Sequence, residues 1–256
     1  MRVMAILPPI VLTFAASDPT GGAGLQADIL TLASLGCHPL SVVTALTVQD
    51  TRGVEDLLAV ESDLVARQAR CVLAETPVAA LKLGVLGSPA NAATIARILD
   101  EHPQVPVVLD PVLASGRGDA LASAETVAAL RTLLLPRTTV LTPNSLEARA
   151  LGGVEAVLAL GCKYVLVTGT HADTPDVVNT LHGREGVLRE DRWPRLKGTY
   201  HGSGCTLASA LAAGLARGLA VPEAVREAQE FTWNTLAAGF RPGSGQHLPD
   251  RFYRMR

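Results

Sequence analysis

The hexapeptide His201-Gly202-Ser203-Gly204-Cys205-Thr206 runs without a break into the small-residue apolar stretch Leu207–Leu215. Glycines ahead of a helix start let the backbone approach a ligand closely. The first helical turn also leaves N–H groups without intrahelical acceptors. Such an array suits the charge that develops on a phosphoryl group in transfer. The plainer reading is a flexible cap holding a buried, inert cysteine. The place of Cys205 at a helix N-terminus predicts a lowered thiol pKa, and therefore first reaction with an alkylating agent among the cysteines. A second glycine-rich segment, Ser17-Asp18-Pro19-Thr20-Gly21-Gly22-Ala23-Gly24, follows an apolar run and precedes a helical one. It matches neither common nucleotide-loop pattern, so an ordinary strand–helix turn explains it equally well. Asp28 then stands near a helix start, where a carboxylate often only answers the helix dipole.

Three further groups of residues follow apolar runs. In Thr142-Pro143-Asn144-Ser145-Leu146-Glu147, the amide and the carboxylate fall three apart on one helix face. They could orient the waters of Mg²⁺ near phosphates. The same spacing is that of a capping box, which residue types alone favour. Asp110 closes a β-branched run in Leu109-Asp110-Pro111-Val112, and a carboxylate there must be paired or must coordinate a cation. Thr168-Gly169-Thr170-His171, with Asp176, reads by itself as a loop between strands. No G-x-S-x-G, H-E-x-x-H or sustained heptad is present, so a serine hydrolase, a zincin and a coiled coil have no support.

These residues need a scaffold, and the chain supplies one by alternation. Strands are expected at Ile10–Ala15, Leu40–Leu46, Ala79–Leu83, Val105–Leu109, Thr138–Leu141 and Tyr164–Val167. Helices are expected at Leu25–Leu35, Asp63–Leu73 (with a Ser62/Asp63 cap), Ala90–Leu99, Ala124–Leu134, Val154–Leu160, Thr206–Ala216 and Pro222–Ala238. Val177–Leu181 and Gly186–Leu188 read as an antiparallel pair. The pattern implies an α/β fold with a mainly parallel central sheet between helices, in one domain over residues 1–256. Ligands of such sheets sit beyond the carboxyl ends of the strands, where the segments above fall.

Composition narrows the function classes. Hydrophobic residues make up 48% of the 256, enough for a large core, and aromatics only 4%, so that core is aliphatic. A formal net charge of −2 argues against nucleic acid as the partner. Cys37, Cys71, Cys162 and Cys205 form no C-x-x-C pair, which fits a reducing, cytoplasmic setting and not a zinc site. The apolar run after Arg2 resembles a signal peptide, but cleavage near Ala16 would remove the strand ahead of the glycine-rich turn, so it is read as strand one. No stretch reaches the roughly 18 consecutive apolar residues of a membrane helix. The only lysines are Lys82, Lys163 and Lys197, which makes the placement of each worth following.

Taken in order, the segments resemble the hydroxymethylpyrimidine/phosphomethylpyrimidine kinases of the ribokinase superfamily. The string from Ser17 to Asp28 resembles their N-terminal signature, and Thr44-Ala45-Leu46-Thr47-Val48-Gln49-Asp50-Thr51-Arg52-Gly53-Val54 their next block. Lys82-Leu83-Gly84-Val85-Leu86 and the segments at 109–112, 142–147 and 201–206 follow in register, so the resemblance spans nearly the whole chain. It implies a ribokinase-like fold and ATP- and Mg²⁺-dependent phosphorylation of hydroxymethylpyrimidine, then of its monophosphate, for thiamine synthesis. It also implies a homodimer acting on small molecules. By the same resemblance Ala16, Thr47, Gln49 and Val85 receive the pyrimidine, and Asp28 lies beside it. Gly202, Ser203, Gly204 and Cys205 form an anion hole, with Cys205 accepting the hydroxyl proton. Asn144 and Glu147, with Asp110, serve the metal–phosphate region, and Thr168, Gly169, His171 and Asp176 line the nucleotide. The chain departs from the family pattern at Ala16 (often Gly), at Thr168 (commonly Lys) and in a short 147–161 segment. Cys205 stands where many sugar kinases of the superfamily have Asp. A pyridoxal kinase of the same branch is the nearest rival. A non-catalytic nucleotide-binding regulator is more distant, because its mark would be a decayed 201–206 loop.

Overall fold

The computed structural model describes residues 7–114, 118 and 121–256; Arg2, which opens the apolar run, lies outside them. The chain runs β1 (Ile10–Ser17), α1 (Gly24–Ser34), β2 (His38–Gln49), β3 (Val54–Ala59), α2 (Ser62–Leu73), β4 (Ala80–Leu83) and α3 (Pro89–Glu101). It continues through β5 (Val107–Leu109), α4 (Ala124–Ala129), β6 (Val140–Leu141), α5 (Ser145–Ala150), α6 (Val154–Ala159), β7 (Tyr164–Val167), β8 (Asp176–Gly183) and β9 (Gly186–Pro194). Helices α7 (Ser203–Ala216) and α8 (Val221–Ala237) follow. The strands form one nine-stranded sheet in the order β3-β2-β1-β4-β5-β6-β7-β8-β9. Strands β2 to β7 in that order pair parallel; β3 at one edge and β8–β9 at the other are antiparallel.

Period-two alternation in the buried strands divides the core between two faces. Leu12, Phe14, Leu81, Leu83, Val107, Leu109, Leu141 and Val165 point to one side, against Val65, Ile95, Ile98 and Leu130 of the covering helices. Val11, Ala80, Val108, Val140 and Leu166 point to the other, against Leu32 of α1, Leu207 and Leu211 of α7, and Val225 and Phe231 of α8. The result is the three-layer α/β sandwich that the alternation implies. One polar set interrupts the α1/α7 face. Thr13 and Lys82 are register partners on β1 and β4, and both point to that side.

The structure corrects several sequence readings. β3 is absent from the strands expected above; Val54-Glu55-Asp56-Leu57-Leu58-Ala59 carries two acids, and as an edge strand it leaves them in water. The α2 cap is Glu61, with no side-chain hydrogen bond, and Ser62 is already helical. The helix expected over Ala124–Leu134 changes to a π turn at Leu130–Leu134 and a 3₁₀ turn at Leu135–Arg137. Pro136, which has no N–H to donate back along a helix, lies in that turn. The short 147–161 segment holds two brief helices, α5 and α6, parted by Gly152-Gly153.

Candidate active site

Most segments singled out from the sequence lie just past the carboxyl end of a strand, and the 201–206 loop joins them from the start of α7. Asp18 follows β1, Gln49 ends β2, Val85 follows β4, Asp110 follows β5, Asn144 follows β6 and Thr168 follows β7. A parallel sheet puts those ends on one edge, so residues far apart in sequence converge there.

At the centre, the two glycine-rich loops lock together. Gly202 has φ +81, and a Cβ on it would overlap the carbonyl oxygen of Gly22. A side chain at 202 is therefore excluded both by conformation and by space. Asp18, 2% exposed, accepts hydrogen bonds from the N–H groups of Thr20 and Ala23 and meets His201 Nε2 at 2.8 Å. Burial pushes its pKa up, but His201 and those two N–H groups outweigh burial and hold it at about 2. Asp18 thus ties its own turn to the 201–206 loop.

Helix α7 starts at Ser203, with Gly202 as its left-handed cap. Thr206 N–H donates to Gly202 O, whereas the N–H groups of Ser203, Gly204 and Cys205 have no acceptor among the described residues. Gly204 is exposed, so this donor array faces solvent at a helix N-terminus. The Asp110 carboxylate lies against Gly204, where an added Cβ would touch Oδ2 at 3.5 Å.

Cys205 corrects the sequence reading of its reactivity. It is buried, and burial pushes its thiol up to about 12; Lys82 and a Gly24 N–H act downwards, while the Asp110 and Asp28 charges act upwards. Desolvation and two carboxylates overcome the helix terminus, and Cys205 is a neutral thiol at physiological pH. Burial also pushes Asp110 up to about 7, against the pull of Lys82.

Asp28 is corrected too. It is 0% exposed: Oδ2 accepts from Thr13 Oγ1 at 2.5 Å and Lys82 Nζ at 2.9 Å, and Oδ1 accepts from Ser209 Oγ at 2.7 Å. Lys82 is 0% exposed as well; burial acts to lower its pKa, but the Asp28 charge prevails and raises it. Asp28 therefore holds the buried lysine beneath Cys205 and offers no face to a substrate.

Asn144 is the cap that its spacing allowed. Its Oδ1 accepts from Leu146 N and Glu147 N, which occupies both lone pairs, and Glu147 Oε2 accepts from Asn144 N in return. Asn144 is thereby the cap of α5, the reading that its residue types favoured. Glu147 Oε1 takes Leu113 N–H, which draws the 110–113 turn, strained at Val112 with φ +32, towards α5. Burial raises the Glu147 pKa, and His171 lies near enough to oppose this.

The remaining predicted residues fall on either side. Thr168 bridges to Asn144, and Gly169 N–H donates to Asn179 Oδ1, so the 168–171 loop lies beside Glu147. Asp176 opens β8, beyond the carboxyl end of β7. On the opposite side, Gln49 lines a cavity of about 470 Å³ with Pro19, Thr20 and Thr51. Asp50, Arg52 and the segment Pro242, Gly243 and Ser244 complete its wall; the sequence did not suggest that segment, which Gln246 N–H and Gly245 N–H hold on Thr51. Thr47 Oγ1 donates to Ser17 O, and Thr44 Oγ1 to Val85 O, fixing the backbone around Ala16 and Val85. The sequence also gave no sign of Arg251, which is 4% exposed and touches both glycine loops. Arg251 has no motif around it to mark it.

Comparison with known proteins agrees with this fold. The family model described as phosphomethylpyrimidine kinase matches residues 18–250. The hydroxymethylpyrimidine/phosphomethylpyrimidine kinase of Streptomyces coelicolor is 42% identical over 94% of this chain and 93% of its own. The crystal structure of an ADP complex of Bacillus subtilis pyridoxal kinase superposes with a TM-score of 0.88 at 27% identity, covering 97% of this chain and 100% of that one. The phosphomethylpyrimidine kinase of Clostridium difficile gives a TM-score of 0.76 at 32% identity, over 87% and 97%. With the family model spanning both glycine loops and everything between them, this chain belongs to the phosphomethylpyrimidine kinase family.

Proposed function

We propose that the chain is an ATP-dependent kinase that phosphorylates the hydroxymethyl arm of hydroxymethylpyrimidine, and then the monophosphate to the diphosphate, in thiamine biosynthesis. The observation that carries this reading is the open row of N–H donors at Ser203, Gly204 and Cys205. A phosphoryl group in transfer spreads negative charge over three equatorial oxygens, and fixed N–H dipoles stabilise it without reorganising.

In this reading the pyrimidine enters past Gln49, whose carboxamide pairs donor and acceptor with the ring edge. Ala16, Thr47 and Val85 frame the ring. The hydroxymethyl oxygen comes to rest over Gly204 and Cys205. It attacks the terminal phosphorus of ATP, the bond to the ADP oxygen breaks, and the hydroxyl proton leaves towards the Cys205–Asp110 corner. Because the transition state is loose, the proton departs late, and a neutral thiol that orients the hydroxyl suffices. Thr168, Gly169, His171 and Asp176 take the nucleotide. Asp110 and Glu147 are hard oxygen donors of the kind Mg²⁺ accepts alongside phosphates and water. When bound there, Mg²⁺ neutralises phosphate charge. The same reading takes the protein as a cytoplasmic homodimer.

The high TM-score with a pyridoxal kinase favours one rival, phosphorylation of pyridoxal. Fold similarity does not separate the two, since both substrates are rings with a hydroxymethyl arm. The 42% identity to a pyrimidine kinase along nearly the whole chain favours the first. Purified protein with Mg·ATP is expected to convert hydroxymethylpyrimidine to the phosphate and the diphosphate, with Gln49→Ala raising the pyrimidine KM more than the ATP KM. ATP consumption with pyridoxal but with neither pyrimidine would give the assignment to the rival.

A further inference from the structure

The C-terminal segment threads beside the anion hole. His201 N–H donates to His247 O, Phe240 and Leu248 exchange backbone hydrogen bonds, and Asp250 N–H donates to Thr235 O of α8. This path carries Arg251 under the two glycine loops, where the residue is 4% exposed. Nε donates to Thr206 Oγ1 at 3.2 Å, Nη1 to Gly21 O at 3.3 Å and Nη2 to Gly22 O at 2.5 Å. Thr206 Oγ1 in turn donates to Gly202 O at 2.8 Å. One planar fork therefore spans the Gly21-Gly22 turn and the first turn of α7.

Two features set this contact apart from ordinary core filling. All three acceptors are neutral oxygens, so among the described residues a buried cation stands without a carboxylate in hydrogen-bond contact, an arrangement that costs stability. Burial correspondingly lowers its pKa to about 10, with the charges of Asp28 and Asp18 acting the other way. The loops it joins also leave no slack, because Gly202 can carry no side chain against Gly22, and His201 packs on Gly22 from the other side. A displacement of either loop moves the N–H groups of Ser203, Gly204 and Cys205.

We propose that Arg251 is a positioning residue for phosphoryl transfer, whose guanidinium fork holds the glycine-rich turn after β1 and the N-terminus of α7 in register and so preorganises the anion hole. The kinetic part rests on the kinase reading; the structural part does not. Lysine cannot replace the fork, because an ammonium is a compact point charge and does not span three separated acceptors in one plane.

The test uses the full chain and the variants Arg251→Ala and Arg251→Lys. Amide hydrogen exchange mapped by mass spectrometry is expected to accelerate together in peptides covering 18–24 and 201–206, by roughly tenfold or more, with β8–β9 unchanged. Steady-state kinetics are expected to show kcat reduced about a hundredfold, the cost of a misplaced anion-hole donor, with the ATP KM within about threefold of wild type. Guanidinium ion at a non-denaturing concentration is expected to restore part of kcat in Arg251→Ala, which a merely structural loss would not allow. If Arg251→Ala does not fold, Arg251→Lys carries both measurements. Wild-type exchange in both loops, or wild-type kcat in Arg251→Lys, would overturn the proposal. Coupled acceleration of both loops in a protein whose wild type phosphorylates neither pyrimidine would sink the substrate assignment and leave the role of Arg251 standing.

Discussion

At Cys205, position along a helix and position in the interior act in opposite directions, and the interior wins. A helix N-terminus stabilises a thiolate modestly, whereas desolvation and two nearby carboxylates oppose it by more. Iodoacetamide is therefore expected to modify the exposed Cys71 first, with Cys205, Cys37 and Cys162, all buried, reacting slowly. Peptide mass mapping over time reads this order, and early labelling of Cys205 would restore the thiolate. Cys205→Ser is expected to lower kcat more than about tenfold while leaving the ATP KM near wild type, the pattern of a contact made mainly in the transition state. Sγ is buried at the first turn of α7, beside the N–H groups of Ser203 and Gly204, and a serine there changes both the size and the acidity of the group that faces the reacting hydroxyl. Full activity in Cys205→Ser would leave the backbone donors as the catalytic element.

At the scale of elements, the site is two loops closed on each other by buried polar side chains. Asp18 does this from the β1 side and Arg251 from the chain's end. Asp18 has a folded pKa of about 2 against an ordinary 3.8, so its ionised form contributes about 2 kcal/mol to stability. The pKa is depressed on folding, so that contribution is complete above about pH 4 and is lost as pH falls towards 2. Asp18→Asn is expected to cost about 2 kcal/mol at neutral pH, and the gap to wild type is expected to close between about pH 4 and pH 2. Urea unfolding at several pH values measures it; a gap that stays constant down to pH 2 would show that the carboxylate's charge is not what locks the loops.

At the scale of the whole molecule, the sheet brings together a buried ion pair that neither local segment could hold. Lys82 stands beside Thr13 because β1 and β4 pair in that register, and α1 and α7 lay Asp28 and Ser209 over them. With both partners at 0% exposure, removing one leaves an uncompensated charge in the core. Lys82→Met is expected to cost about 3–5 kcal/mol, and Lys82→Met with Asp28→Leu to recover at least half of it. Equilibrium unfolding of the three proteins gives the comparison. A single-variant loss below about 1 kcal/mol would mean that Asp28 stays comfortable without its lysine.

By itself the sequence determined the α/β class, the parallel run of strands and the places where chemistry could collect. Apolar runs with period two, helical periods between them and glycines at strand ends are local signals, and tertiary packing had no reason to override them. It left β3, the π turn after α4 and the wall at 242–244 unread, because each is set by what an edge or a loop packs against and not by its own residue pattern. Tertiary structure alone decided the states of the site residues. Asp28 and Asn144 carry residue types that fit a ligand, yet burial gave one to Lys82 and hydrogen-bond geometry gave the other to a helix cap. Cys205 lost its acidity, and Arg251 gained its place, through neighbours tens to hundreds of residues away in the chain. Charge, desolvation and hydrogen bonding act through space over a few ångströms, and only the folded chain says which groups share that space.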